Sequence, residues 1–168
     1  GFRLIFVSVS ASEWGELRLT FEATVLEAKQ EEFEAFLTHK IREFNNEHSE
    51  FHREARKPGS LKPINIILEN ESGTPIGGLA ANTYWDWLEI GNFYIPEELR
   101  GQGIGVRLLK QAEEIAIGRG CRRAFLTTFE FQARGFYEKQ GYYVTGKLED
   151  YPPQSTYYWM RKDLMAKP

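Results

Sequence analysis

The chain has a single cysteine, Cys121, among 168 residues. No intrachain disulfide can form, which excludes a disulfide-stapled scaffold and points to a reducing, cytoplasmic setting. No metal site is expected. No apolar run approaches the length of a membrane span, so no membrane partner is expected. Charge of one sign is also missing: the formal net charge is −3, which argues against a general nucleic-acid binder. Internal repeats and low-complexity segments are absent.

What is present is enough chain for one domain with a real core. Aromatic residues make up 14% and charged residues 27%, a composition unlike that of disordered chains. The opening GFRLIFVSVSASEW has the outline of a secretory apolar region, but its apolar run is very short. Residues 1–16 are therefore expected to be an N-terminal extension, an extra strand or an expression remnant, and residues 17–168 a single domain.

Along that domain, LRLTFEATV (residues 17–25) reads as a strand. A helix follows, with Phe33, Phe36, Leu37, Ile41 and Phe44 at helical spacing and glutamates early, where the helix dipole favours them. Residues 48–63 are polar and carry two prolines and a glycine, which predicts a loop. INIILEN, IGGLAANTYW and LEIGNFYI read as an antiparallel meander, with turn chemistry at NESGTP and a hairpin near Asp86. Gly91 inside the third of these marks either a bulge or a glycine beside a bulky neighbour. A helix over residues 103–118 presents Ile104, Leu108, Leu109, Ala112, Ile115 and Ala116 on one face and stops at glycine. RRAFLTTF is a strand, FQARGFYEKQG a short helix, and YYVTGKL and TYYWMRKDL are closing strands. The expectation is an α/β (α+β) domain: a mixed, mostly antiparallel sheet of six to seven strands, flanked by three to four helices.

The most informative stretch is PEELRGQGIGVRLLKQAEE. Gly101, Gly103 and Gly105 alternate after Arg100 and before a helix. The P-loop pattern needs Lys and then Ser or Thr after its last glycine; here Val106 and Arg107 stand there. The dinucleotide fingerprint needs a glycine at position 106 and an acid about 20 residues on; the chain offers Val106, then Arg122 and Arg123. The general physics of an anion site remains. Unpaired helix N-terminal amides, small residues and a nearby arginine suit a phosphate. The plainer alternative is a glycine-rich turn that merely links strand to helix, and three alternating glycines after an arginine weigh against it.

RGQGIG resembles motif A of the GNAT superfamily of acetyl-CoA-dependent N-acyltransferases. FYEKQGYYV is similar to that family's YEKxGF segment, and the element order from about Leu17 to Leu164 is similar to the GNAT fold, with its sheet splayed in the middle. The resemblance implies acetyl-CoA as co-substrate and a main-chain grip on its pyrophosphate by Gly101, Gln102, Gly103, Ile104 and Gly105, with Arg100. It implies pantetheine against the strand around Phe93, Tyr94 and Ile95, where the amides of Phe93 and Ile95 would face the thioester. Tyr137, which on its residues alone reads as a core tyrosine, becomes by resemblance the acid for the departing thiolate. Its reference pKa of about 10 keeps it protonated. Glu89 resembles the general base of the histone-acetylating branch; solvent-facing Glu89 with a water chain, or His48 or His52, are the alternatives. Many members carry Asn seven positions before the tyrosine. Here Glu130 stands there, which removes one expected pantetheine contact and leaves Gln132 or backbone groups to compensate.

Acceptor choice in such a fold falls to residues 44–63 and 149–155. Both hold acids and aromatics, a lining suited to a cationic amine. The expected partner is a small-molecule amine; a protein lysine or N-terminal amine, and an acyl-CoA-binding module without turnover, are the alternatives. Tyr157 and Trp159 on the last strand would suit a homodimer.

Overall fold

The computed structural model describes residues 23–165. They fall into two compact units that divide between Ser49 and Glu50. The boundary expected between residues 16 and 17, and most of the strand expected over residues 17–25, lie outside the described residues. In the first unit, helix α1 spans Glu31–His48. Glu31, Glu32 and Glu34 occupy its first turn, the favourable end for negative charge.

The second unit holds a six-stranded sheet in the order β1-β2-β3-β4-β6-β5. The strands are β1 (Lys62–Glu69), β2 (Pro75–Tyr84), β3 (Trp87–Tyr94), β4 (Arg123–Phe129), β5 (Tyr143–Glu149) and β6 (Thr156–Asp163). Helix α2 (Glu50–Ala55) precedes them, α3 (Ile104–Gly118) joins β3 to β4, and α4 (Arg134–Lys139) joins β4 to β5. Among the described residues only the β3–β4 pair is parallel; its crossover through α3 is what a parallel pair requires. This is the mixed α/β sheet with flanking helices that the sequence predicts.

One face of the sheet is sealed by period-two alternation. Leu79, Ala81 and Thr83 of β2, Leu88 and Ile90 of β3, Ala124 and Leu126 of β4 and Met160 of β6 are buried. Against this face α3 buries Leu108, Leu109, Ala112 and Ala116. Past the C-terminus of α3, Arg119 donates to the carbonyls of Lys62 and Pro63 and to the Thr83 hydroxyl, which ties the helix to the β1–β2 edge.

Two expectations need correction. Residues 48–63 are not wholly loop, because α2 forms within them. It has six residues and buries none, so it carries no apolar period to betray it. The hairpin turn is Trp85–Asp86, with φ of 48° and 64°, the left-handed pair that matches strand twist. Trp85 thus leaves the strand it was read into. Its indole donates to the Phe51 carbonyl of α2 at 3.0 Å, and its ring meets His52 edge-on at 4.8 Å.

The apolar face read for α3 omits its one buried acid. Glu113 is 8% exposed. It accepts from the Tyr142 hydroxyl at 3.0 Å and from Lys162 Nζ at 2.6 Å, tying α3 to β6 and to the start of β5. Removing one partner of such a pair leaves a desolvated charge. Lys162→Met should therefore cost about 3 kcal/mol in urea unfolding, and the Glu113→Leu/Lys162→Met double variant should cost less than the single one.

Candidate active site

The glycine turn follows a single 3-10 turn, Glu97–Leu99. Gly101 and Gly103 have φ of 73° and 77°, a region where other residues are strained. Gly103 is the N-cap of α3 and brings no side chain to its own helix end. The first closing bond runs from the Arg107 amide to the Gly103 carbonyl at 3.1 Å. The amides from Gln102 to Val106 therefore have no backbone acceptor among the described residues. A Cβ at Gly101 or Gly103 would meet nothing within 4 Å, so the outer face of the turn is open. No acid occupies the first turn of α3. Free amides, the positive helix end and open space together fit a diphosphate.

The neighbouring side chains hold the turn in shape. Gln102 folds back, donating to the Glu98 carbonyl at 2.9 Å, and leaves its own amide facing out. Arg100 Nε donates to the Ile95 carbonyl at 2.9 Å, and its guanidinium lies 6.0 Å from the Tyr94 ring. The arginine braces the corner between strand and turn; its terminal nitrogens make no hydrogen bond among the described residues.

Beside the turn the sheet opens. β3 and β4 pair only over Trp87–Glu89 against Arg123–Phe125. Beyond Glu89, β3 stays with β2, and β4 stays with β6. The β2–β3 register slips by one at Ala80/Ala81, opposite Gly91; Gly91 is the extra residue of a bulge, the kind of kink that bends a strand away from its neighbour. The Tyr94 carbonyl lies 2.8 Å from where a Gly77 Cβ would stand, so it faces β2. Backbone groups alternate along a strand, so the Phe93 and Ile95 amides point the other way, toward the opening. On the helix side the opening is walled by apolar groups. Phe93 meets Phe136 at 5.9 Å, and a Gly105 Cβ would touch Phe136 at 3.5 Å and Ile95 at 3.7 Å.

Tyr137 sits on α4 within the core, 7% exposed. Its ring meets Phe136 at 5.2 Å and Tyr142 at 5.7 Å. Its hydroxyl has no hydrogen-bond partner among the described residues, and burial pushes its pKa up to about 12. The phenol is a donor at every physiological pH. Glu89 lies on the other face of the sheet, between the buried Leu88 and Ile90, at the last paired position before the strands part. The Tyr84 hydroxyl is within its reach; burial and then the Glu89 carboxylate push that phenol up. The parting is thus flanked by a protonated tyrosine on one face and a carboxylate on the other. Period two along β2 is the signal that places Tyr84 on this face.

Other expected groups are engaged elsewhere. Gln132 Oε1 accepts from the Phe129 amide at 2.9 Å and closes the turn after β4. Glu130 pairs with Arg134 at 3.4 Å; the Tyr158 hydroxyl and then Arg134 hold its carboxyl below the usual range. His48 Nδ1 pairs with the Phe44 carbonyl at 2.8 Å on α1, and His52 packs on Trp85. Among the described residues no cluster of His, Cys, Asp and Glu could hold a metal ion, and no helix is long and apolar enough to cross a membrane.

An amide-lined turn set against a parted strand pair is the arrangement of an acyl-coenzyme A acyltransferase. Residues 23–142 match the model of the Acetyltransferase (GNAT) family, and the chain belongs to that family; by class it is an acetyl-CoA-dependent N-acetyltransferase. It is 31% identical to Blasticidin-S acetyltransferase of Streptomyces morookaense over 74% of this chain and 96% of that one. It is 35% identical to Acetyltransferase Atu2258 of Agrobacterium fabrum over 60% of this chain and 74% of the relative. The crystal structure of an acetyltransferase from Bacillus cereus superposes with a TM-score of 0.71 at 28% identity, covering 83% of this chain and 97% of its own.

The buried phenol has a consequence for stability. Its folded pKa lies above its unfolded value, so the stabilising contribution is complete below pH 10 and disappears as pH rises toward about 12. In urea titrations across that window the wild type should lose about 2–3 kcal/mol from this group, and Tyr137→Phe should lose correspondingly less.

Proposed function

We propose that the protein transfers the acetyl group of acetyl-CoA to a primary amine of a small molecule, by direct attack in a ternary complex. The observation that carries this reading is the parting of β3 from β4 next to the glycine turn. The turn offers amides for a diphosphate, and the unpaired edge of β3 offers amides for a thioester arm. Bound there, acetyl-CoA supplies the activated acyl group.

The chain's own groups then have separate tasks. The amides of Gln102 to Gly105, with the positive end of α3 and the terminal nitrogens of Arg100, hold the pyrophosphate. The Phe93 amide, with that of Ile95, stabilises charge on the carbonyl oxygen as the amine adds. Glu89 takes the proton that the attacking ammonium must lose, directly or through a water. Tyr137 gives its proton to the leaving sulfur, a role supported by its burial and its partnerless hydroxyl. Gln132, whose oxygen is engaged, keeps its amide nitrogen for the pantetheine arm. The name of the Streptomyces relative favours an amine-bearing antibiotic as acceptor.

Millimolar acetyl-CoA should raise the melting temperature by several degrees, since it binds only the folded state. Gly103→Asp should abolish that shift by placing a carboxylate over the amides; an undiminished shift would remove the cradle from the reading. Thiol release with an amine panel should show Tyr137→Phe reducing kcat by about 100-fold at unchanged acetyl-CoA affinity. Equal turnover would return Tyr137 to a packing role. Glu89→Gln should depress the alkaline-rising limb of the pH–rate profile, and an unaltered limb would leave deprotonation to water.

A further inference from the structure

At the open end of the parted strands, five aromatic rings from three segments meet. Phe129 ends β4, Phe131 follows two residues on, Tyr151 comes from the β5–β6 connection, and Tyr157 and Trp159 lie on β6. Phe129 and Phe131 stack at 5.3 Å with planes 8° apart, and Phe129 and Tyr151 stack at 6.4 Å and 23°. Tyr157 leans on Phe129 at 4.7 Å and meets Trp159 edge-on at 5.1 Å. Yet Phe131 remains 69% exposed and Tyr151 55%.

These rings are held in place, not trailing in solvent. The Glu130 amide donates to the Thr156 carbonyl at 2.8 Å, and the Gln132 amide to the Phe129 carbonyl at 3.0 Å. On the other segment the Tyr151 amide donates to the Ser155 carbonyl at 3.0 Å, and the Gln154 amide to Asp150 Oδ1 at 2.7 Å. Two pinned segments therefore present ring faces to water, where stacking a flat guest costs little further ordering. Glu130, which lies between the two phenylalanines in the chain, is paired with Arg134 at 3.4 Å and adds no free charge to the cluster.

Position connects the cluster to the reaction. Phe125 and Phe129 share a face by strand alternation, and Phe125 pairs with Glu89. Four residues of strand separate them, roughly 13 Å at 3.3 Å per residue. An amine held between Glu89 and the parted edge would have the rest of its molecule within reach of the rings. The protruding surface is two side chains, at most about 250 Å² each, which falls short of the ~800 Å² per partner of a stable protein interface.

We infer that Phe131 and Tyr151, backed by Phe129, form a stacking ledge for a flat, π-bearing ring carried by the acceptor amine. The inference rests on the transferase reading and deepens it: the acceptor class is a primary amine tethered to an aromatic or heteroaromatic ring. Two probes of matched length separate planarity from apolarity, 4-phenylbutylamine and 4-cyclohexylbutylamine. In thiol-release assays the wild type should favour the phenyl compound about tenfold in kcat/KM, and the Phe131→Ala/Tyr151→Ala variant should bring the two to equal values.

The same pair is titrated against the protein saturated with coenzyme A and followed by tryptophan fluorescence, which reads binding without turnover. Preferential binding of the phenyl probe with no thiol release would keep the ledge and overturn the transferase reading. Thiol release with no preference between the probes would keep the transferase and overturn the ledge, as would failure to bind either. Sedimentation of the wild type as a dimer that Phe131→Ala dissociates would assign the rings to a second copy and equally overturn it.

Discussion

The constraint on which the rest depends is the hydrogen bonding that β3 and β4 forgo. Buried backbone groups are almost always paired, and a parallel pair of this length would ordinarily zip to its end. Here pairing stops at Glu89 and Phe125. The cost is contained because each strand keeps its other neighbour, β2 for β3 and β6 for β4. The bulge at Gly91 supplies the bend. Arg100, bonded to the Ile95 carbonyl, braces the chain where it leaves the strand. The opening is a built feature, supported on both sides by intact ladders.

Charge and burial are then distributed around that opening with some economy. On the helix face the pocket wall is apolar, from Phe93, Ile95 and Phe136, and Tyr137 is desolvated enough to remain a proton donor. The buried carboxylate of α3, Glu113, is occupied by Lys162 and Tyr142. On the opposite face Glu89 stands half-exposed, in reach of Tyr84. The Tyr137 phenol and the Glu89 side chain are thus separated by the sheet itself, one on each face.

Much of the site was legible in the residues. Alternating glycines after Arg100 announced an open, amide-lined turn, because left-handed φ at Gly101 and Gly103 admits little else. Gly91 left a bulge and a glycine beside a bulky neighbour both open, and the structure has the bulge. The apolar stripe of α3 was legible apart from Glu113, whose burial depends on Lys162, 49 residues away. Helix α2 was missed since its six residues bury nothing. The commitment of Gln132 to the Phe129 amide, and of Arg100 to Ile95, could not be read, because both follow from where a loop folds back.

The sequence alone determined the order of elements from β1 to β6, the family and the glycine turn, because these rest on local periodicity and on conformations that only certain residues adopt. Tertiary structure decided which backbone edges went unpaired, that Glu113 was buried against Lys162 and Tyr142, and that Phe129, Phe131 and Tyr151 came to share one cluster. Those outcomes depend on contacts between segments distant in the chain, and no local pattern encodes a distance in space.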